Sequence, residues 1–115
     1  MTPEKFVERV LKTVVEEGNA SYQEIFADPG EVTDEYWQRV LELYRSLSPA
    51  HRKVILEIMR QVSIDTIAEI FGILDGSSGL DGRSEDFELF HKTAKSRVRL
   101  NGDLQDLFLA KVEGD

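Results

Sequence analysis

The chain has 115 residues, of which 41% are hydrophobic and 31% charged, a composition typical of a single globular domain covering residues 1–115. It contains no cysteine, which excludes disulfide bonds and thiolate metal sites. The net charge of −8 disfavours binding to nucleic acid or to an anionic membrane, and no membrane span or secretion signal is recognisable, so we expect a cytoplasmic protein.

The N-terminal third predicts two helices. Thr2-Pro3-Glu4 is a typical helix start, with a hydroxyl cap, a proline at the first position and an acid near the positive helix end. Apolar residues then recur at spacings of three and four up to Val15, and Gly18 is predicted to end the helix. The sequence SYQE at 21–24 is a capping box, which predicts a short second helix that ends in the turn DPGE at 28–31.

The middle of the chain predicts two more helices. Thr33 or Asp34 is the predicted cap of the third helix, and Ser48-Pro49 is a cap-plus-proline start for the fourth. After Pro49 the segment 49–74 has no further proline, and no glycine before Gly72, so it is predicted to be one helix about 39 Å long. Because its apolar stripe changes phase, a break near Ser63 is the alternative.

In the C-terminal part, the spacing of apolar residues changes from a helical pattern to an alternating one. Residues 87–100 alternate in character, which predicts two strands joined by a turn around Thr93–Ser96, and Asn101 is the predicted cap of a last helix. The predicted fold is therefore mostly α, with about five helices and a small two-stranded antiparallel β ribbon near residues 86–100. The predicted core comprises Trp37, Leu41, Tyr44, Ile55, Ile58, Val62, Ile67, Phe71, Leu104 and Phe108.

The stretch GILDGSSGLDG at 72–82 is the most motif-like part of the sequence. A calcium loop that started at Asp75 would need glycine where Leu80 stands and a glutamate where Asp86 stands. A phosphate-binding loop would need a lysine and a following helix. We therefore interpret Gly76 as the C-terminal stop of the long helix and the rest as a connector, and we predict no metal site.

Catalytic patterns are sparse. The two histidines, His51 and His91, have no paired-ligand spacing, and no nucleophile motif occurs. Asp65 and Glu69 lie four residues apart and would suit acid–base chemistry if burial separated their pKa values, but a solvated pair is the simpler interpretation. We predict that the protein is not an enzyme and holds no cofactor.

A basic island interrupts the acidic sequence on and around the predicted ribbon. It could bind an anion such as RNA or an acidic partner. The simpler interpretation is that its charges protect exposed sheet edges from aggregation. Its members are Lys92, Lys95, Arg97 and Arg99, preceded by Arg83.

Two resemblances suggest functions. The segment LSPAHRKVILEIMRQVSIDTIAEIFGI at 47–73 resembles the helix-turn-helix of sigma-factor region 4, with Ser48, Arg52, Ala68 and Gly72 in similar places. This resemblance implies a transcription-associated protein, and it requires a DNA-reading helix after the motif. The sequence that follows, LDGSSGLDG, departs from that pattern, and the segment lacks the basic charge that DNA binding needs.

The second resemblance involves the segments IFGILDG, FELF and NGDLQDLFL. Together they resemble small, stand-alone, acidic bacterial proteins of uncharacterised families, some of which look like immunity proteins of toxin systems. The resemblance implies a protein binder whose acidic surface masks a basic toxin domain.

Our functional hypothesis is therefore non-enzymatic binding of a protein partner, immunity-like if that partner is a basic toxin. Its alternatives are the helix-turn-helix protein and a homodimeric scaffold. The predicted partner-binding residues are acidic and come from the first, third and fourth helices: Glu16, Glu17, Asp34, Glu35, Asp65 and Glu69.

Overall fold

A computed structural model describes residues 1–114 of the chain. Its helices are α1 (Pro3–Val10), a π-helical segment (Leu11–Glu16), α2 (Glu17–Ala27), α3 (Glu35–Ser46), α4 (Pro49–Asp75) and α5 (Leu104–Gly114). Its strands are β1 (Phe90–Lys92) and β2 (Arg97–Arg99), which pair antiparallel. The prediction of a mostly helical fold with a small two-stranded antiparallel ribbon is confirmed.

The first two predicted helices are one continuous helical run, so Gly18 does not end a helix. Glycine lowers helix stability by about 1 kcal/mol but does not block the helical conformation. The hydroxyl of Ser21 donates to the carbonyl of Glu17 within the same helix, so the predicted capping box is wrong. Residues 1–114 therefore contain four separate helical runs instead of about five.

The π-helical segment has a packing consequence. It connects α1 to α2 without a break, and it carries Leu11 and Val15, which are both buried in the core. A π turn shifts the side chains that follow it around the helix axis, because it inserts an extra residue into the turn. The same helical run can therefore face the core along α1 and then present a different face in α2.

The starts of α3 and α4 are those predicted. Asp34 Oδ1 accepts a hydrogen bond from the backbone N–H of Tyr36 at 3.0 Å, and Ser48 Oγ accepts one from His51 at 3.1 Å. Helix α4 runs unbroken for 27 residues, so the single-helix prediction is confirmed. It ends at Gly76, whose φ of +82° is the left-handed conformation that favours glycine.

The core lies between α1, the π-helical segment, the C-terminal half of α4, and α5. Phe71 of α4 meets Phe108 of α5 edge to face, with ring centroids 5.5 Å apart. Phe6 of α1 approaches the same Phe71 ring at 5.9 Å. The buried cluster comprises Val7, Leu11, Val15, Ile64, Ala68, Phe71, Leu104 and Phe108.

The predicted core is right at one end of the molecule and wrong at the other. The predicted core residues that are buried are Leu41, Phe71, Leu104 and Phe108. Those that are half-buried are Trp37, Tyr44, Ile55 and Ile67. Ile58 and Val62 were predicted wrongly, since they are 53% and 57% exposed. They lie on the N-terminal half of α4, on a side that the other elements of residues 1–114 leave largely open.

Asn101 does not cap α5 as predicted; it ties the ribbon to α4. Its side chain accepts from the backbone of Leu89 at 2.8 Å and donates to the carbonyls of Leu74 and Phe87, both at 2.6 Å. The cap of α5 comes from the end of α4, because the carboxylate of Asp75 accepts from the backbone of Gln105 at 2.9 Å. The ribbon therefore sits on the helices through a buried amide.

The molecule is more open than its mass predicts. Its radius of gyration is 17.8 Å, whereas a compact chain of this length has about 13 Å. Its accessible surface is 8276 Å², against about 6,400 Å² for a typical monomer of 13.1 kDa. Exposed residues dominate the segment 79–97 and much of α2, α3 and the N-terminal half of α4. We call α2, α3 and the N-terminal half of α4 the open half; the remainder is the closed half.

Candidate functional site

Three helices of the open half enclose a groove of about 480 Å³. Helix α2 lies on one side, α3 on another, and the N-terminal half of α4 completes it. We call this feature the aromatic groove. Its lining is mainly aromatic and aliphatic and includes Tyr22, Phe26, Tyr36, Trp37, Ile58 and Val62.

Polar contacts at both ends of α3 hold one wall of the aromatic groove in place. Gln38 Nε2 donates to the carbonyl of Val32 at 3.0 Å, which fixes the turn before the helix. At the other end, the guanidinium of Arg52 donates to the carbonyls of Tyr44 and Arg45 at 3.0 and 2.9 Å. These carbonyls belong to the last turn of α3, where helical N–H donors run out, so Arg52 stabilises the helix end.

Aromatic rings make the contact between α2 and α3. Phe26 stacks on Tyr44 with ring centroids 4.3 Å apart, and Tyr22 stacks on Trp37 at 6.2 Å. Only Leu41 of α3 is buried among the residues that the structure describes. Helix α3 is therefore held by ring pairs and a few polar contacts instead of by a shared core.

Two apolar stripes of the open half meet at the aromatic groove. On α4, Val54, Ile58 and Val62 follow each other at intervals of four residues, and all three are exposed. On α3, Tyr36 is 60% exposed, and Leu43 lies on the same helix face at 59%. Isolated apolar residues on a surface are normal, but a contiguous apolar area next to a groove is typical of an interaction site.

A polar concavity of about 430 Å³ lies between the same α2 and α4, and Asn19 lines both it and the aromatic groove. The guanidinium of Arg60 pairs with the carboxylate of Glu16 at 2.7 Å across it. Asn19 Nδ2 is buried and has no hydrogen-bond partner within residues 1–114. The Glu16–Arg60 ion pair therefore bridges this second concavity and links the first helical run to α4.

The six predicted acidic residues lie on the π-helical segment, α2, the start of α3 and the C-terminal half of α4. Glu16 is paired with Arg60, Asp34 caps α3, and Asp65 accepts from the side chain of Gln61 at 2.8 Å. Glu17, Glu35 and Glu69 are exposed on α2, α3 and α4. Across residues 1–114, no three acidic or histidine side chains come together in a way that could hold a metal ion.

The basic island lies on the ribbon and its turn, as predicted. Arg97 lies over the ring of Phe90, with its guanidinium carbon 3.8 Å from the centroid. Arg99 donates to Asn101 Oδ1 at 3.2 Å and approaches Glu88 at 3.9 Å. Two of the four cations are thus engaged within the ribbon region, which favours the edge-protecting interpretation. Lys92 and Lys95 are exposed; anion binding stays a prediction.

The glycine-rich stretch at 72–82 acts as a structural connector. Asp75, the first ligand of the calcium loop considered above, uses its two carboxylate oxygens for the backbone N–H groups of Gly102 and Gln105. Leu80 and Arg83 form a tight turn through paired backbone hydrogen bonds of 2.7 and 3.0 Å. These contacts explain the stretch without a ligand.

The two histidines, His51 and His91, lie on different elements and differ in solvent exposure. His51 is exposed in the first turn of α4. His91 is half-buried on β1 opposite Val98, and its Nδ1 atom has no hydrogen-bond partner within residues 1–114. Neither histidine lines the aromatic groove.

The helix-turn-helix arrangement implied by the sigma-factor resemblance is not formed. Residues 49–75 are a single helix without a turn. Residues 76–89, which follow it, contain no helix and lead into β1. The segment therefore offers no recognition helix to a DNA groove.

Comparisons of the chain with family models, curated proteins and solved structures found no match. Within residues 1–114, none of the helices combines the length and the apolar character that crossing a bilayer requires.

Sequence reasoning missed the residues that make the aromatic groove a surface. It placed Ile58 and Val62 in the core and assigned no role to Tyr36. One signal pointed to them: the apolar stripe of 49–74 changes phase near Ser63, so the helix has two apolar faces. Both faces were predicted to be covered, but the chain supplies helices for only one of them.

Proposed function

We propose that this protein is a non-enzymatic protein-binding domain and that it binds through the aromatic groove. The observation that carries the proposal is the pair of exposed apolar stripes, from α3 and α4, that converge on one concave surface. Aromatic side chains are enriched at protein interfaces because they supply large contact areas at low conformational cost. A helix that packs into the groove would bury Ile58 and Val62.

The arrangement of polar groups supports a binding role over catalysis. Catalysis needs a nucleophile or base with an orienting partner in a cleft. The aromatic groove is lined mainly by hydrocarbon surfaces, and its polar groups are the tyrosine hydroxyls, the indole N–H of Trp37, Ser63 and the amide of Asn19. The acidic pair Asp65 and Glu69 is exposed on α4, and Asp65 is bonded to Gln61.

An immunity-like role with a basic protein partner is a second candidate, which the charge distribution favours. Residues 1–34 hold 8 acidic and 3 basic side chains. Such a surface would attract a basic domain over a distance of about 10 Å at moderate salt. Glu17, Asp34 and Glu35 would be the first contacts in this case, and the aromatic groove would not be required.

The test is affinity capture with a matched pair of variants. The tagged protein is exposed to nuclease-treated lysate of the cells that make it, supplemented with an untagged copy of the chain. Wild type is compared with Ile58→Glu and with Ile70→Glu, the same change on the same helix outside the groove. Ile58 and Ile70 are 53% and 52% exposed, so neither substitution damages the core.

We expect wild type and Ile70→Glu to retain a protein in stoichiometric amount and Ile58→Glu to lose it, by at least about tenfold. Equal retention by all three forms would contradict binding through the aromatic groove. If all three forms retain the protein equally but the double variant Glu17→Lys/Glu35→Lys loses it, the result would favour the immunity-like candidate.

A further inference from the structure

We infer that the protein bound in the aromatic groove is a second copy of this chain, and that two copies pair antiparallel along the N-terminal halves of α4. The inference rests on the proposed function, which it makes specific. Three independent observations carry it: the amount of exposed surface, the charge of the face, and the order of side chains along α4.

The exposed surface is large enough for a stable dimer. The chain exposes 8276 Å², about 1,900 Å² more than a compact monomer of its mass. Part of this excess lies on the exposed segment 79–97. The excess of two copies, about 3,800 Å², is more than twice the roughly 1,600 Å² that a stable interface of standard size buries.

The charge of the face favours a copy of the chain over a basic partner. None of the residues that line the aromatic groove is charged. The three helical segments around it, residues 17–27, 35–46 and 49–65, together hold 5 basic and 6 acidic side chains, whereas the rest of the chain holds 9 basic and 16 acidic side chains. Two nearly neutral faces can approach without repulsion, whereas a basic protein would gain little attraction here.

The order of side chains along α4 is self-complementary. Val54, Ile58 and Val62 follow each other at intervals of four residues along one face of α4, and all three are exposed. With a two-fold axis at Ile58, Val54 of one copy faces Val62 of the other, and the two Ile58 side chains meet.

The first test is the molar mass of the purified protein in solution, by light scattering after gel filtration. We expect about 26 kDa for wild type and for Ile70→Glu, twice the chain mass of 13.1 kDa. Ile58→Glu should dissociate to about 13 kDa, because a dimer would bury two carboxylates without partners. Far-ultraviolet circular dichroism equal to wild type shows that Ile58→Glu is folded.

The second test locates the symmetry axis. Because the chain has no cysteine, Ile58→Cys introduces a single thiol. An axis at residue 58 places the two thiols within disulfide range, so mild oxidation should convert most of the protein to a covalent dimer. Ile70→Cys is the matched control and should remain uncoupled at the same protein concentration.

The results separate this inference from the proposed function. A monomeric wild type overturns the inference; if Ile58→Glu still abolishes capture of another protein, the groove binds that protein and the proposed function stands. A dimer that survives Ile58→Glu, together with an Ile58→Cys variant that does not couple, overturns the inference as well. Capture that is insensitive to Ile58→Glu overturns both.

Discussion

The two halves of this molecule use similar apolar residues in opposite ways. In the closed half, Ile64, Ala68 and Phe71 of α4 lie between α1 and α5 and are buried. In the open half, residues of similar type on the same helix, such as Ile58 and Val62, are largely exposed. Burial here is decided by how many helices surround a residue, because the apolar character of α4 continues along its length.

The comparison also shows two ways of holding a helix. Helix α5 is held by Leu104 and Phe108, which are completely buried, and by the Asp75 cap. Helix α3 is held by stacked rings and by the guanidinium of Arg52. Since unfolding free energy comes mainly from buried apolar area, the closed half should carry most of the stability.

The strongest test of this difference is Phe108→Ala. Phe108 is fully buried and contacts Phe71, so its removal leaves a cavity at the centre of the closed half. We expect the free energy of unfolding to fall by about 3 to 5 kcal/mol. The measurement is urea unfolding followed by circular dichroism at a fixed protein concentration.

The adjacent residue provides the control for this prediction. Leu109 is 37% exposed on an outer side of the same helix, and Leu109→Ala should cost roughly 1 kcal/mol or less. If the two substitutions had equal effects, the stability would not reside in the closed half as the burial pattern indicates.

A smaller loss is expected from Asn101→Ala. Asn101 is 7% exposed and joins the segment before β1 to the end of α4. Its removal leaves the backbone N–H of Leu89 and the carbonyl of Leu74 without their partner, which costs about 2 to 3 kcal/mol. The unfolding free energy, measured as above, should fall by this amount.

Asn101→Asp separates the two roles of this side chain. It keeps an acceptor for Leu89 but loses the donor to Leu74 and Phe87, and it buries a charge. We therefore expect it to be no more stable than the alanine variant. Full stability of Asn101→Asp would mean that the two 2.6 Å contacts do not hold the ribbon.

The open half is tested by Arg52→Ala. Without the guanidinium, the carbonyls of Tyr44 and Arg45 lose this donor, and the contact of Arg52 with the Tyr44 ring, 5.1 Å away, disappears. We expect α3 to open more easily by about 1 to 2 kcal/mol, which raises its amide hydrogen exchange roughly tenfold. Mass spectrometry of exchanged peptides measures this change segment by segment.

Two comparisons give this result its meaning. Lys53→Ala removes a neighbouring exposed cation, and because Lys53 is not among the residues that hold the end of α3, α3 should exchange as in wild type. Peptides of α5 should be unchanged in both variants. Faster exchange in α5 after Arg52→Ala would show that the two halves unfold together, against the distinction drawn above.

Local signals in the sequence predicted the parts of the fold that depend on neighbouring residues. The caps at Asp34 and Ser48, the stop at Gly76 and the ribbon turn around Thr93–Ser96 all involve groups within a few residues of each other. Asn101 was misassigned as a cap because its true partners, Leu74 and Leu89, are up to 27 residues away.

The candidate site could be predicted less well, for the same reason. The phase change in α4 shows that this helix has two apolar faces, but it does not tell which of them the chain itself covers. That depends on where α1, α2 and α5 finally lie. Periodicity identified Ile58 and Val62 as apolar-face residues, and only the tertiary arrangement shows that they are exposed.

The test with the smallest expected effect compares Gly18 and Gly76. The sequence predicted that each of them ends a helix, but only Gly76 does. Gly18 lies inside the helical run, and a Cβ added there would meet nothing within 4 Å. Gly18→Ala should therefore stabilise the protein by about 0.5 to 1 kcal/mol. Gly76 has a φ of +82°, so Gly76→Ala should destabilise it by roughly 1 kcal/mol.

The opposite signs of these two effects are the decisive feature, and urea midpoints of the two variants in parallel measure them. Gly76 lies where α4 meets the closed half, so its effect should appear in the main unfolding transition. Gly18 lies in α2, so its gain should appear there only if α2 unfolds together with the closed half. Gly18→Ala could instead slow hydrogen exchange in α2 without shifting the main unfolding transition. That result would mean that the boundary between the two halves falls within the first helical run, near the π-helical segment.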